Sequence, residues 1–154
     1  MDFRITGLSP EPFRHLFGLP DHELKQHRAI RVIADDTRYP DRIEMCEAAI
    51  GESLLLLNHV CQSAETPYYA THAIYVRENA KQTYDRVNEV PTVMRSRLLS
   101  LRAFNDAGMI IGAEIVQGSD IEAAIERLFD DQNAAYIHAH NAGRGCYSGR
   151  IDRA

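Results

Sequence analysis

The segment between Tyr136 and Tyr147 carries the densest group of side chains that could do chemistry. Its first residues alternate between large polar and small apolar types, so in a β-strand Tyr136, His138 and His140 would share one face. Two imidazoles roughly 7 Å apart on one strand can hold a metal ion or contact one anionic group. The spacing therefore predicts a binding or catalytic site on this strand.

The loop after this strand has a composition that suits a ligand. Gly143 and Gly145 would let backbone N–H groups approach a bound molecule closely, and Asn141 could orient it. Cys146 returns on the expected partner strand, followed by Tyr147. The pattern assigns ligand binding to Asn141, Gly143, Gly145 and Tyr147, and names Cys146 as a candidate catalytic thiol beside the histidines.

Arginines cluster in the preceding part of the chain. Arg95, Arg97 and Arg102 lie close together in sequence, and on a strand Arg102 would face away from the apolar Leu99 and Leu101. This arrangement suits a small anion pocket. The simpler alternative is a set of solvated surface arginines with carboxylate partners, because long charged side chains are mostly exposed.

Several interpretations of the histidine strand stay open at this stage. A pocket for a small polar or anionic molecule would be lined by His138, Asn141 and Arg102. In that pocket His138 would act as the polarising or acid–base group, since an unperturbed imidazole titrates near neutrality. A Cys–His nucleophilic pair would use Cys146, whose thiol a neighbouring imidazolium would activate. The histidines could equally be structural groups in a hairpin.

A transition-metal site is a further interpretation. It would use His138 and His140, with Cys146, His72 or His59 as the third ligand, because thiolate and imidazole suit zinc. A lone His-x-His pattern is a weak signal, so the sequence assigns no metal ligand and identifies no cofactor.

The overall composition narrows the class of protein. The chain has 154 residues, 45% of them hydrophobic, and a net charge of −5 from 22 acidic and 17 basic side chains. Nucleic-acid binding is not expected without a broad basic face, and no apolar run approaches the ~20 residues of a membrane span. Three cysteines without close pairing and the lack of a signal-peptide pattern indicate a cytoplasmic protein.

Strand and helix patterns predict one α+β domain over residues 1–154, with a mostly antiparallel or mixed sheet and a few flanking helices. The firmest element is a helix following Ser119 and Glu122, which form a capping-box pattern. Strand-like segments recur through the chain and mostly follow short turns, which disfavours βαβ repetition. They cover residues 3–8, 29–34, 42–48, 53–60, 68–77, 98–104, 109–116, 134–140 and 146–151. A short helix is also expected to begin at Pro10 and to stop at Gly18.

The sequence resembles a bacterial family known as domain of unknown function 1203. The resemblance rests on Pro67-Tyr68-Tyr69, on Leu101-Arg102-Ala103-Phe104, on His138-Ala139-His140-Asn141-Ala142 and on Gly145-Cys146-Tyr147, and it spans nearly the whole chain. It implies further cysteines near residues 41–46, a histidine at position 77 and an arginine at position 140. This chain has Cys46 alone, Arg77 and His140, which disfavours both a metal site through Cys46 and any interpretation that needs His140 in particular. It leaves His138, Asn141, Gly145 and Cys146 as the favoured site residues. The resemblance implies no activity.

Taken together, these patterns predict a protein that binds, and in a stronger version transforms, a small polar or anionic metabolite at the C-terminal hairpin. Two alternatives remain, a non-catalytic interaction protein that forms a homodimer through an edge strand, and a His/Cys transition-metal protein.

Overall fold

Nine strands build two antiparallel sheets that face each other. In the computed structural model, which describes residues 1–154, the strands are β1 (Phe3–Thr6), β2 (Ala29–Ile33), β3 (Ser53–Gln62), β4 (Ala70–Arg77), β5 (Asp85–Val87), β6 (Leu98–Phe104), β7 (Ile110–Gln117), β8 (Tyr136–Asn141) and β9 (Tyr147–Arg153). The larger sheet has the order β5-β1-β9-β8-β6-β7, and the smaller has the order β2-β3-β4. The helices are α1 (Asp21–Gln26), α2 (Thr92–Arg95) and α3 (Ile121–Phe129). The predicted α+β class is confirmed.

Helix α3 covers one face of the larger sheet. Its apolar stripe of Ile121, Ile125 and Phe129 is fully buried in the main core, together with Ile137 and Ala139 of β8. This burial fixes the register of β8, because a shift of one residue in its strand pairing would turn its apolar side chains away from the helix.

The opposite face of β8 points at the smaller sheet. Tyr136, His138 and His140 all lie on it, as the alternation predicted, and their rings follow one another along the strand. Across the gap, His72 of β4 meets His140 with ring centroids 4.9 Å apart. His59 of β3 lies 6.4 Å from the ring of Tyr147. A layer of histidines and tyrosines therefore joins the two sheets.

The capping box predicted before α3 is wrong. Ser119 lies in a 3₁₀ turn, and no side chain caps the helix. The carboxylate of Glu122 instead pairs with Arg95 of α2 at 2.5 and 2.8 Å. A charged guanidinium is a stronger partner for this carboxylate than a backbone N–H, and the pair ties α3 to α2.

Two further local predictions need correction. The segment after Pro10 forms turns and one 3₁₀ turn, Arg14–Leu16, although the chain does turn at Gly18, where φ is +76°. Residues 42–48 form no strand, because the buried Asp41 carboxylate accepts the N–H groups of Glu44 and Arg77 at 2.6 and 2.8 Å. These bonds fold the segment into a tight loop.

The three helices are short, and none of them is apolar and long enough to cross a membrane.

Candidate functional site

The first cavity lies beside the histidine layer and is called here the histidine pocket. It has a volume of about 230 Å³ and opens between the β3–β4 turn and the strands β6 and β8. The residues that line it are Cys61, Gln62, Pro67, Tyr68, Tyr69, Ala70, Arg102, Phe104, Ile110, His138 and His140. Arg102 stands directly opposite His138 in the β6–β8 ladder, so these two predicted site residues do meet.

His138 occupies a confined position at the back of this pocket. Its ring packs between Phe104, Tyr136 and Tyr147, with centroids 5.0 to 5.2 Å away, and only 4% of the residue is exposed. Burial is the main cause that lowers the pKa of His138 to about 3, and the neighbouring His140 ring and the charges of Arg150 and Arg102 act in the same direction. The ring is therefore neutral at physiological pH, and its Nδ1 atom has no hydrogen-bond partner.

The second cavity is a larger opening called here the arginine cleft. Its volume is about 1220 Å³, which is enough for a metabolite. One wall is formed by residues 36–40, Arg42 and Glu47, and another by Leu56 of β3 with residues 73–75 of β4. Residues 96–98 and the β8–β9 loop at Asn141, Gly143, Arg144 and Cys146 complete the lining. Because the β8–β9 hairpin supplies one wall, the cleft lies at the end of the C-terminal hairpin.

Arg42 is the unusual residue of the arginine cleft. Its side chain is 2% exposed, yet its Nε and Nη1 atoms have no hydrogen-bond partner. Burial and the positive charge of Arg97 lower the pKa of Arg42 to about 10, so the guanidinium still carries its charge at neutral pH. Burying an unpaired charge is costly, and native proteins rarely do so without a functional reason.

Two other arginines of the cleft are already paired within the protein. Arg97 contacts Glu47 at 2.5 Å and Arg38 contacts Asp36 at 2.7 Å. The four arginines that line the cleft, with Arg144 as the fourth, outnumber its two carboxylates. A positive excess therefore exists inside a chain whose net charge is −5.

Two further polar groups of the same cleft also lack partners. The Oδ1 atom of Asn141 and the Oε2 atom of Glu47 are buried without a hydrogen bond. An Asn side chain presents both an acceptor and a donor group, so Asn141 can turn its amide toward either a donor or an acceptor of a bound molecule. The thiol of Cys146 lines the same cleft and is half-buried.

The predicted site residues divide between the two cavities. Arg102 and His138 line the histidine pocket, whereas Arg97, Asn141, Gly143 and Cys146 line the arginine cleft. Tyr147 and Gly145 line neither cavity.

The β8–β9 ladder explains this division. It pairs His140 with Tyr147 and leaves Cys146 in the loop, where its carbonyl accepts the N–H of Asn141 at 2.9 Å. Gly145 takes a positive φ of 79°, and its carbonyl accepts a hydrogen bond from His140. The loop that was expected to serve the histidines therefore contributes its side chains to the neighbouring cleft.

Comparison with protein families identifies one match. The family described as "Protein of unknown function (DUF1203)" matches residues 38–153, which is more than half of the chain. The chain belongs to the DUF1203 family. Comparisons with curated proteins and with solved structures found no match. Both cavities of this DUF1203 member draw their walls mainly from the matched region.

A third group of polar residues, formed by Asp41, Glu44 and Cys46, has the composition of a metal site. In this DUF1203 member the guanidinium of Arg77 is bound there instead. It contacts Glu44 at 2.6 Å, the Cys46 sulfur at 3.3 Å and Glu52 at 2.6 Å. A fixed positive charge thus already balances this acidic group, so a metal cation is not required to compensate it.

Sequence reasoning missed two residues of these cavities. Arg42 was placed in a strand, and nothing in its local sequence marks it as buried. Cys61 was given no role from the sequence, but it is half-buried and lines the histidine pocket. Its position near the end of a strand, ahead of the Pro67-Tyr68-Tyr69 turn, was the available signal.

Proposed function

We propose that this DUF1203 protein binds a small metabolite that carries a carboxylate or phosphate group, and that the anionic group enters the arginine cleft and contacts Arg42. The observation that carries the proposal is the buried guanidinium of Arg42, which lacks any hydrogen-bond partner at two of its nitrogens. An anion supplies the missing acceptors, and charge-assisted hydrogen bonds from arginine to such groups are among the strongest in proteins.

The remaining residues of the cleft have distinct roles in this proposal. Arg144 is exposed at the mouth and attracts the anion, while Asn141 bonds the polar part of the ligand. The Glu47–Arg97 pair fixes the wall beside Arg42. Gly143 has open space around its backbone, so a ligand can pass close to the chain there. Cys146 lies within the cleft as a thiol that a bound ligand would cover.

The state of the cysteines supports a cellular location for the protein. All three cysteines are free thiols, which supports a reducing compartment such as the bacterial cytoplasm as the proposed location.

A thermal-shift titration tests the proposal with defined probes. Wild type would be titrated with inorganic phosphate, citrate, succinate and a sugar phosphate at constant ionic strength. At a concentration of 100 times Kd, a ligand of the native state adds about 2.7 kcal/mol, which raises Tm of a chain of this size by roughly 5–10 °C.

The matched variants are Arg42→Met and Arg95→Met. Arg95 is an arginine of α2 that pairs with Glu122 and does not line the cleft. We expect Arg42→Met to lose the shift and Arg95→Met to keep it. A response that is equal in all three proteins, or absent from wild type for every probe, would overturn the proposal.

A further inference from the structure

A second group of side chains, separate from the arginine cleft, converges at the edge of the histidine pocket. Cys61 comes from β3, His72 from β4 and His140 from β8. One ligand atom from each, the Cys61 sulfur and a ring nitrogen of each histidine, lies within 4.8 Å of the others. Three donors around a tetrahedral zinc ion are about 3.3–3.8 Å apart. Side-chain movements of about an ångström would therefore bring these three donor atoms to zinc-binding distances from one another.

We propose that Cys61, His72 and His140 bind one transition-metal ion, with zinc(II) as the ion of choice. A thiolate and two imidazoles form a soft donor set that suits zinc and other late first-row metals and does not suit magnesium or calcium. The site joins the two sheets, because β8 belongs to the larger sheet and β3 and β4 to the smaller.

The orientation of His140 supports this assignment. Its Nδ1 atom lies 2.9 Å from the carbonyl oxygen of Gly145, a contact that requires the ring proton on Nδ1. Nε2 is then unprotonated and free to bind a metal. Metal-binding histidines in proteins regularly donate their second nitrogen to a backbone carbonyl in this way. The positive φ of Gly145 places that carbonyl, which gives this glycine a role although it lines neither cavity.

The accessibility of the three residues fits a metal with an open position. His140 is 2% exposed, while His72 and Cys61 are half-buried. The His72 and His140 rings already meet at 4.9 Å. Cys61 and His140 both line the histidine pocket, so a fourth metal ligand, a water molecule or a small anion, has room there. Three protein ligands with one open position are the usual arrangement of catalytic zinc sites.

Arg102 sets the charge of this site. Its guanidinium lines the same pocket and acts on Cys61, His72 and His140. Burial raises the pKa of the Cys61 thiol, and the positive charge of Arg102 offsets only part of that rise, so a metal ion must displace the thiol proton when it binds. The same charge repels a metal cation, and an anionic fourth ligand offsets that repulsion. The structure therefore points to a metal whose open position takes an anion.

A competition titration tests the metal site. The purified full-length protein is stripped with a chelator and titrated with Zn²⁺ against a chromophoric chelator, and with Co²⁺ while the near-ultraviolet absorption is recorded. We expect one equivalent of zinc per chain and a thiolate-to-cobalt charge-transfer band. Cys61→Ser should lose that band, and Cys61→Ser and His72→Ala should each weaken zinc binding at least about tenfold.

The controls use matched residues outside the set. Cys146→Ser and Cys46→Ser remove the two other half-buried thiols, and His59→Ala removes the histidine that pairs across the strands with His72. All three should bind zinc as wild type does. Both test positions, Cys61 and His72, are half-buried, so their variants are expected to fold, which circular dichroism will verify.

Two results would overturn the proposal. One is wild-type protein that binds no stoichiometric zinc or cobalt. The other is a set of variants in which Cys46→Ser or Cys146→Ser loses the metal while Cys61→Ser and His72→Ala retain it.

Discussion

Glu47 pairs with Arg97 at 2.5 Å, and this pair leaves the buried Arg42 beside it without a carboxylate partner. The arrangement costs folding free energy, because a charge removed from water needs compensating bonds. In the proposed function the anionic ligand supplies that compensation. Stability and ligand binding are then linked through one side chain, which gives a direct expectation for its removal.

Arg42→Met should leave the ligand-free protein as stable as wild type or more stable by about 1–2 kcal/mol, because methionine fills similar space without a buried charge. Urea unfolding at neutral pH measures this difference, and the matched Arg95→Met variant should lose stability through its broken pair with Glu122. A loss of several kcal/mol in Arg42→Met would show that the guanidinium supports the fold and is not held for a ligand.

Asn141→Asp should weaken anion binding at least about tenfold, because the new carboxylate neutralises part of the positive charge in the cleft. Asn141→Ala removes the amide without adding charge and should cause a smaller loss. Titration calorimetry with the best anion of the thermal-shift panel separates the two effects. Equal affinities of Asn141→Asp and wild type would place the anion away from the β8–β9 loop.

Low pH should weaken the ion pair between Arg31 of β2 and Glu78, which follows β4. Arg31 contacts both carboxylate oxygens of Glu78 at 2.8 and 2.9 Å, and this pairing, opposed by burial, lowers the pKa of Glu78 to about 2. Ser53 and the N–H of Gly18 also bond this carboxylate. Because the pKa of Glu78 is lower in the folded than in the unfolded protein, its charge contributes to the free energy of unfolding. This contribution is complete above the unfolded pKa, near 4.5, and is lost as the pH falls toward 2.

Glu78→Gln should therefore lose on the order of 2 kcal/mol at pH 7, with a smaller deficit at pH 3. Unfolding curves at the two pH values measure this change, and exposed Glu65→Gln is the control. An equal deficit at both pH values would mean that packing, and not the charge of Glu78, stabilises this contact.

Gly118→Ala should destabilise the protein by about 2–3 kcal/mol, because a Cβ at this position would lie 1.9 Å from the Met94 carbonyl oxygen and 2.7 Å from that of Arg95. These backbone atoms belong to α2, which leads into Arg97, so they have little freedom to move. Gly143→Ala, whose Cβ meets nothing within 4 Å, should change Tm by no more than about 1 °C. Similar melting temperatures for the two variants would contradict the packing described here.

The sequence predicted the parts of the fold that depend on local periodicity. The apolar stripe of α3 follows from the helical spacing of Ile121, Ile125 and Phe129, and the shared face of His138 and His140 follows from the two-residue period of a strand. Both predictions are confirmed. Each element has one buried face, and the residues on that face recur at the period of the helix or the strand.

The site was less predictable because its residues meet across the two sheets. Arg42 lies in a loop whose shape depends on the Asp41 carboxylate and on the distant Arg77 N–H, and alternation alone made this loop resemble a strand. Cys61 reaches His140 only through the packing of one sheet on the other. Neither contact leaves a local pattern, and so the sequence favoured Cys146 as the partner of the histidines.

A crystal of the protein soaked in selenate tests the central claim most directly, because the anomalous signal of selenium shows where a tetrahedral anion binds. We expect an anomalous peak within hydrogen-bonding distance of the Arg42 guanidinium in the arginine cleft, and no such peak in crystals of Arg42→Met. Peaks at surface arginines alone, with the Arg42 nitrogens still without an anion at saturating selenate, would contradict it.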